Sequence, residues 1–286
     1  MEAVIEIKRR KKIKVSTIVA AIITIVFVLI FLFPIVLAIL TSFKTPLETA
    51  ESILSLPKQI NFNNYIEGMK RSNFFRAMIN SCITTFPSVA LIVICASMGG
   101  YTIARNSAVS RIVKSMDTVY LASLMIPFQI LMIPLYKIYK TLQLQNSLFG
   151  MILVLTGTSI AYSTFLYVGF AKSIPKELEE AALIDGCGPY RAFIKIVFPL
   201  LKPITATVSA LHIMWLWNDF NMALIILQKE EMRTLTVKQY YFFGEHTADY
   251  GMAFAASIVS MLPILLFFIA MQKHLVEGIS AGAVKA

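Results

Sequence analysis

The sequence predicts an all-α protein that crosses a membrane six times, and three observations support that prediction. Hydrophobic residues make up 57% of the 286 residues and charged residues only 15%, whereas a soluble domain is about half apolar and about a quarter charged. Mean hydropathy is +0.73. Apolar runs near the length of about 20 residues that spans a bilayer recur along the chain, and basic residues cluster beside them. We interpret residues 1–286 as a single transmembrane domain.

The first predicted span covers residues 15–40 and follows a basic start that includes Lys8, Arg9 and Lys14. Because positive charge favours the cytoplasmic side of a span, we expect the N terminus in the cytoplasm. A cleaved signal peptide is the competing interpretation, but its apolar region has about 7–15 residues and ends at a small-residue cleavage site. The run here is longer and lacks a clear site, which favours an uncleaved span.

The polar segment 41–73 follows on the predicted outer side. Pro46, Pro57 and the asparagines within residues 61–64 are residues typical of turns and loops. We therefore predict an irregular loop between the first and second spans.

The second predicted span covers residues 75–104. It contains Ser97, Gly99 and Gly100, and small residues of this kind allow helices to approach closely in lipid. The span is therefore expected to pack against another helix through this end.

Four further spans follow the second one. They are predicted at residues 116–136, 147–171, 204–227 and 251–271. Pro127 and Pro134 predict kinks in the third span, because proline removes a helix hydrogen bond and its ring clashes with the preceding turn. Six crossings return the C terminus to the cytoplasm.

The net charge of +10 raises the question of a nucleic-acid partner. The basic residues lie beside apolar spans rather than in a patch interleaved with aromatic residues, so they fit the positive-inside rule and not a nucleic-acid surface. We expect no nucleic-acid partner.

The longest polar interruption with helix signals of its own is the loop at residues 174–203. Glu177, Glu179 and Glu180 fall in early helical turns, where the helix dipole favours negative charge. Gly186 is placed to end that helix, since glycine adopts the left-handed conformation of a helix C-terminus. Gly188 and Pro189 then restart the chain.

A second amphipathic helix is predicted after this turn. Its apolar residues recur at helical spacing, and they are Phe193, Ile196, Val197, Leu200 and Leu201. Pro199 and Pro203 are expected to bend the chain back towards the membrane.

Within this loop the order Glu180-Ala181-Ala182, then Gly186, then Ile196, then Phe198-Pro199 resembles a known family pattern. The pattern is the EAA loop of permease subunits from binding-protein-dependent ABC importers, with Phe198 standing where the family usually has Leu. The resemblance implies the type I ABC importer permease fold, with N and C termini in the cytoplasm.

The resemblance also implies that the loop is the coupling helix that docks into a groove on an ATPase subunit. The residues to which it assigns ATPase coupling are Glu179, Glu180, Ala181, Ala182, Asp185, Gly186, Ile196 and Pro199. Glu180 is the first candidate for direct contact, because an acidic residue on a short helix with small neighbours suits docking to a partner. The alternative is a solvated helix charge, and for the alanines it is plain helix propensity.

Softer motifs resemble the carbohydrate-transporting branch of the family. They are Trp217-Asn218-Asp219-Phe220 in the fifth span and the tail from Val276 to Lys285, while Tyr101 with Arg105 resembles the end of the second span in the family as a whole. The resemblance implies import of a sugar or related polyol across a prokaryotic cell (inner) membrane. It implies as partners an ABC ATPase dimer, a second permease subunit in a heterodimer, an extracytoplasmic solute-binding protein and the lipid bilayer.

Trp215, Trp217, Asn218 and Asp219 are candidates for a substrate pathway. An ionisable residue in a membrane span is a functional-site hypothesis by default, and tryptophan rings could stack on a sugar. Interfacial anchoring and helix–helix hydrogen bonding are the alternative interpretation.

The sequence contains no Gly-x-x-x-x-Gly-Lys-[Ser/Thr] loop, so this chain is not expected to bind ATP in that way. We expect no catalytic residues, no metal site and no cofactor on this chain, with ATP and Mg²⁺ held by the partner ATPase. His212, His246 and His274 lie far apart in sequence and are interpreted as packing or interface residues. A secondary transporter driven by an ion gradient is the alternative function, with Asp219 as its one intramembrane acid.

Overall fold

The computed structural model describes residues 15–245 and 249–283, and every regular element within them is a helix. The prediction of an all-α protein is therefore confirmed. The basic start at residues 8–14, His246 and the last residues of the tail motif, Val284 and Lys285, lie outside the described residues.

The helices follow one another along the chain. They are α1 (Val15–Ser42), α2 (Pro46–Glu51), α3 (Asn63–Arg71), α4 (Phe74–Asn106), α5 (Arg111–Ser123), α6 (Phe128–Thr141), α7 (Leu148–Ala171), α8 (Glu177–Ile184), α9 (Pro189–Ala192), α10 (Phe198–Leu200), α11 (Lys202–Trp217), α12 (Asn221–Ile226), α13 (Leu235–Glu245) and α14 (Tyr250–Ala283). A π-helical turn, Phe193–Val197, joins α9 to α10, and a 3₁₀ turn, Glu230–Met232, lies between α12 and α13.

Among the described residues, 4 helices are long and apolar enough to cross a membrane. They are Ser16–Ser42, Phe74–Asn106, Leu148–Ala171 and Tyr250–Gln272. The number rises to 6 if each of two bent helix pairs forms one span. The predicted total of six crossings is the upper end of this range.

The third predicted span is broken rather than kinked. Helices α5 and α6 meet at an angle of 107°, and between them Pro127 is extended, with φ −60° and ψ 131°. Proline disfavours a helical conformation in the residue before it, so α5 ends and a new helix starts after Pro127. Pro134, by contrast, lies inside α6 without ending it.

The fifth predicted span is also interrupted, at Asn218 and Asp219. The Asn218 amide donates to the Met214 carbonyl at 2.8 Å, and an Asp219 carboxylate oxygen accepts from the Ala223 backbone N–H at 3.1 Å. These side chains take over backbone groups at the end of α11 and the start of α12, which favours a helix boundary over continuation. Upstream, α9–α10 and α11 meet at 73°, between Pro199 and Pro203 as the sequence predicts.

The predicted outer segment 41–73 contains two helices, so the prediction of an irregular loop is wrong at these two helices. Helix α2 starts at a capping box, in which Thr45 and Glu48 exchange hydrogen bonds between side chain and backbone, with Pro46 at the first position. Helix α3 carries Asn63 and Asn64, whereas Pro57 and Asn61 lie in the irregular chain before it, as predicted.

Two buried polar side chains hold this segment together. The Lys44 ammonium donates to the carbonyls of Ser52 at 3.0 Å and Ile53 at 2.7 Å, just after the end of α2. The Asn64 amide donates to the carbonyls of Ser42 and Lys44 at 2.8 Å each. Helix α3 is thereby tied to the end of α1.

The core is centred on the packing of α4 along α7. The helices approach closely at Gly100, where an added Cβ would lie 2.6 Å from the Tyr167 Cβ and 3.1 Å from the Thr164 carbonyl oxygen. Ala96 and Ser97 are buried on the same side of α4. Gly99 has nothing within 4 Å of its Cβ position. Of the three small residues predicted to allow close packing, Ser97 and Gly100 therefore lie on the packed side of α4 and Gly99 does not.

We expect Gly100→Val to destabilise the protein by about 1–3 kcal/mol, because the new methyl groups overpack the contact with Tyr167. Thermal unfolding in detergent measures the effect. Gly99→Val is the matched control, since it makes the same substitution on the same helix in open space. Equal losses from the two variants would contradict the close approach of α4 and α7.

Candidate functional site

The predicted polar loop 174–203 folds into a short helix, a tight turn and a second, irregular helix. Glu177, Glu179 and Glu180 all lie in the first turn of α8, where the helix dipole stabilises their charge. The chain then reverses into α9. This part of the sequence folds as its local signals predict.

The turn after α8 depends on Gly186, whose φ is +81°. The Gly186 N–H donates to the Leu183 carbonyl at 3.1 Å, and the Cys187 N–H donates to the Ala182 carbonyl at 2.9 Å, which is the Schellman pattern. Nothing lies within 4 Å of the Gly186 Cβ position. Glycine is required here for its backbone conformation and not for space. Asp185 is the C-cap residue.

The second helix buries Phe193, Val197 and Leu201 in the core. Phe193 packs on Tyr101 of α4, with ring centroids 5.2 Å apart. Ile196 is only half-buried, and Pro199 and Leu200 are exposed, so the predicted apolar stripe is narrower than its sequence spacing suggests. The reason is the π-helical turn Phe193–Val197, whose wider repeat rotates the following residues.

A buried ion pair ties α8 to the end of α4. The Arg105 Nε donates to a Glu179 carboxylate oxygen at 2.9 Å, and its Nη2 donates to the same oxygen. The other carboxylate oxygen accepts from the Tyr101 hydroxyl at 2.8 Å. Nη2 also donates to the Ile174 carbonyl at 2.9 Å. Both charged side chains are only 11% exposed.

Glu179, one of the predicted ATPase-coupling residues, is therefore buried in the protein and does not face solvent. Its carboxylate points into the protein, so its contribution is to hold α8 in place. Arg105 and Tyr101, which hold Glu179, were not among the coupling residues predicted from the sequence. Their spacing of four residues, which puts both on one face of α4, was the available signal.

The opposite side of α8 is exposed. Glu180, Ala181 and Asp185 face solvent, whereas Ala182 is buried. Large apolar side chains are exposed beside them, with Ile184 at 86% and Tyr190 at 76%. We call the set Leu178, Glu180, Ala181, Leu183, Ile184 and Tyr190 the α8–α9 surface. A groove of about 480 Å³ runs between this surface and α4.

The substrate-pathway candidates separate into buried and exposed groups. Trp217 is 6% exposed and packs with Phe74, Ala77 and Leu235, so its ring is enclosed by its neighbours in this subunit. Trp215 is half-exposed. Asn218 and Asp219 bond to the backbone at the helix boundary described above.

A second polar cluster joins α4 to the segment between α12 and α13. The Asn80 amide donates to the carbonyls of Glu231 at 2.9 Å and Arg233 at 3.1 Å. Lys238 donates to Glu230 at 2.6 Å, and this hydrogen bond lowers the pKa of the Glu230 carboxyl below its usual value. The cluster fixes the predicted outer segment on the bundle.

No group of His, Cys, Asp and Glu that could hold a metal ion occurs in the part of the chain that the structure describes.

Most of the chain is similar to known membrane transport proteins. Residues 88–281 match the model of the family described as binding-protein-dependent transport system inner membrane component. The chain is 34% identical over 275 residues, 96% of this chain and 99% of the relative, to a probable starch degradation products transport system permease protein of Thermoanaerobacterium thermosulfurigenes. It is 35% identical over 278 residues, 97% of this chain and 98% of the relative, to a melibiose/raffinose/stachyose import permease protein of Bacillus subtilis strain 168.

A solved structure shares the fold. It is a chain of a bacterial ABC transporter involved in the import of the acidic polysaccharide alginate, with a TM-score of 0.78 and 22% sequence identity. The match covers 92% of this chain and 99% of that chain. This similarity confirms the predicted importer permease fold.

We expect the Arg105–Glu179 pair to show strong coupling in a double-mutant cycle. Arg105→Met leaves a buried carboxylate without its cation and should cost about 3–5 kcal/mol of stability. The double variant Arg105→Met/Glu179→Met removes both charges and should be more stable than the sum of the single losses predicts. The measurement is unfolding in detergent for the four proteins.

The control for this cycle is Lys176→Met, which removes an exposed positive charge at the same groove. It should change the stability by less than about 0.5 kcal/mol. Strict additivity of Arg105→Met and Glu179→Met would show that the pair does not hold α8.

Proposed function

Because this chain belongs to the family of binding-protein-dependent transport system inner membrane components, we propose that it carries a sugar or related polyol and is driven by a separate ATPase docked on the α8–α9 surface. The chain is a transmembrane subunit of an ABC importer. As a transporter permease subunit it has no catalytic role of its own.

The carbohydrate assignment is supported by what the relatives are named for. The two described above are named for starch degradation products and for melibiose, raffinose and stachyose, and each aligns over nearly its whole length with this chain. A third, from Streptococcus mutans, is 34% identical over 259 residues and is named a multiple sugar-binding transport system permease protein. We propose a neutral sugar, oligosaccharide or polyol as cargo.

The single observation that supports ATPase docking is the two-sided character of α8. Its inner side is held by the buried Arg105–Glu179 pair, and its outer side exposes apolar residues around Glu180. Contiguous exposed apolar groups rimmed by polar ones are typical of an interaction site, and a short helix with such a face suits insertion into a groove.

The other partners follow from this assignment. The chain contains no phosphate-binding loop, so ATP and Mg²⁺ would be held by the ATPase dimer. A second permease subunit would complete the pore as a heterodimer, and an extracytoplasmic solute-binding protein would deliver the sugar. We place the complex in the prokaryotic cell (inner) membrane, with both termini and the α8–α9 surface in the cytoplasm.

The proposed mechanism is alternating access driven from the α8–α9 surface. Closure of the ATPase dimer on ATP would move α8. Since Glu179 is bonded to Arg105, the end of α4 would move with α8, and α4 packs along α7. Two packed arrangements of the permease pair, open to opposite sides, are the bistable element.

The ion-gradient alternative depends on Asp219 as a coupling acid. Its carboxylate accepts the Ala223 N–H, and its carbonyl accepts from the Thr236 hydroxyl at 2.7 Å. These contacts fit a helix boundary better than a coupling site. The family membership favours the ATP-driven importer.

The proposal is tested by purifying the tagged chain from its native membrane in mild detergent. We expect an ATPase, a second permease and a binding protein to copurify, and the sugar extracted from that binding protein to be imported by proteoliposomes containing ATP. A chain that purifies alone and transports without ATP would overturn the proposal.

We expect Glu180→Lys to lower the rate of ATP-driven uptake about tenfold or more, while the chain still inserts into the membrane. The reversed charge lies on the docking side of α8 and disrupts the partner contact. Glu177→Lys is the control, because it reverses an exposed charge in the same helical turn. Uptake and copurification of the ATPase are measured for both. Normal uptake by Glu180→Lys would remove Glu180 from the docking site.

Gly186→Val should also abolish uptake while insertion stays normal. Valine is strongly disfavoured at φ +81°, so the turn after α8 must rearrange and Ile184 and Tyr190 change their relative positions. Gly188→Val is the matched control, since Gly188 is extended with φ −65° and ψ 160° and has open space around it. Equal uptake by the two variants would contradict the role of the turn.

A further inference from the structure

Three aromatic rings from α7 and α11 form a cluster that is separate from the α8–α9 surface. The Tyr162 and Trp215 ring centroids are 5.3 Å apart, and those of His212 and Trp215 are 5.3 Å apart with the rings perpendicular. Tyr162 and His212 are 6.4 Å apart. Tyr162 lies near the middle of α7, so the cluster lies well inside the predicted membrane region.

His212 has an unpaired polar atom inside the protein. The side chain is 2% exposed, and its Nε2 lies 2.6 Å from the Ser163 hydroxyl. Its Nδ1 has no hydrogen-bond partner. A buried polar atom without a partner is unfavourable, and a titratable residue within a membrane helix is a functional-site hypothesis by default.

The hydrogen bonds around His212 indicate which ligand group could bind Nδ1. If the Ser163 hydroxyl donates to the Ser159 carbonyl at 3.0 Å, it accepts from Nε2–H and leaves Nδ1 as an acceptor. In the other tautomer Nδ1 is a donor. A ligand hydroxyl both donates and accepts, so it satisfies Nδ1 in either tautomer.

The cluster also provides an apolar surface next to this polar atom. Trp215 is 50% exposed and Tyr162 is partly exposed. A sugar ring combines an apolar C–H face with hydroxyl groups at its edge, and aromatic rings next to a few placed polar groups suit such ligands. Thr156 also has a buried hydroxyl without a hydrogen-bond partner. It lies on the same face of α7 as Ser163, about 10 Å from it along the helix axis.

We propose that Tyr162, His212 and Trp215 form a carbohydrate-contact site in the translocation pathway, where Trp215 packs on a sugar ring and His212 Nδ1, enclosed in the arrangement described here, binds a sugar hydroxyl when the site opens. This inference rests on the proposed function. It places substrate contacts on this subunit itself and, of the four candidates from the sequence, it uses Trp215.

The first test is uptake of radiolabelled raffinose and maltotriose by proteoliposomes that contain the whole purified importer with its binding protein. Trp215→Ala should raise the KM for uptake about tenfold or more. Phe165→Ala is the matched control, because Phe165 is an aromatic residue of α7 that is also 50% exposed. It should keep the wild-type KM. If Trp215 only anchors the helix at the membrane interface, Trp215→Ala will keep the wild-type KM too, and the inference is overturned.

A pair of substitutions at His212 separates ligand contact from packing. The amide of asparagine reaches the position of Nδ1, and that of glutamine reaches the position of Nε2. The inference predicts that His212→Asn retains more of the uptake affinity than His212→Gln does. A purely structural role through Ser163 predicts the reverse order, which would overturn the inference. If Trp215→Ala fails to assemble, this pair still decides the question.

The wild-type complex shows whether the proposed function or only the proposed sugar site has failed. If it imports neither sugar and shows no ATP-dependent uptake, the proposed function fails and the site fails with it. If it imports a sugar and the Trp215 and His212 variants do so with the wild-type KM, only the site is wrong.

Discussion

The buried pair of Arg105 and Glu179 is the interaction on which the rest of the site depends. Two charges withdrawn from water are stable only when their remaining hydrogen-bonding groups are also satisfied, and here Tyr101 and the Ile174 carbonyl complete the set. The location helps both partners, because Arg105 is in the last turn of α4 and Glu179 in the first turn of α8, where the helix dipoles favour their charges. The pair therefore fixes a short helix of eight residues that could not be stable alone.

Fixing α8 from one side leaves its other side available to a partner. Adjacent residues on a helix point about 100° apart, so Glu179 and Glu180 cannot do the same work. One is an internal tether and the other belongs to the exposed α8–α9 surface, and Ala182 and Ala181 divide in the same way. In the proposed mechanism, a displacement of α8 reaches α4 through the hydrogen bonds between Arg105 and Glu179.

Elsewhere in the described bundle most buried hydroxyl groups are satisfied within their own helix. Thr84 donates to the Asn80 carbonyl and Ser88 to the Thr84 carbonyl, as membrane helices require where water is absent. His212 departs from this pattern, because its Nδ1 is buried without a partner beside a half-exposed tryptophan. The hydroxyls of Thr41, Thr85 and Thr156 are likewise buried without a partner, so the feature that distinguishes His212 is the aromatic cluster beside it.

The sequence by itself determined the features that depend on near neighbours in the chain. Composition and apolar run length indicate membrane helices, the glutamates of residues 177–180 start α8, and Gly186 ends it, because each rests on bonds within a few residues. The spacing of the loop motif also identifies the family. Tertiary structure decided which glutamate is buried, since Arg105 lies 74 residues from Glu179 in the chain. It likewise decided that Trp217 packs while Trp215 remains open, and that the Nδ1 atom of His212 lacks a partner, because burial depends on which helices meet, and no local pattern encodes that.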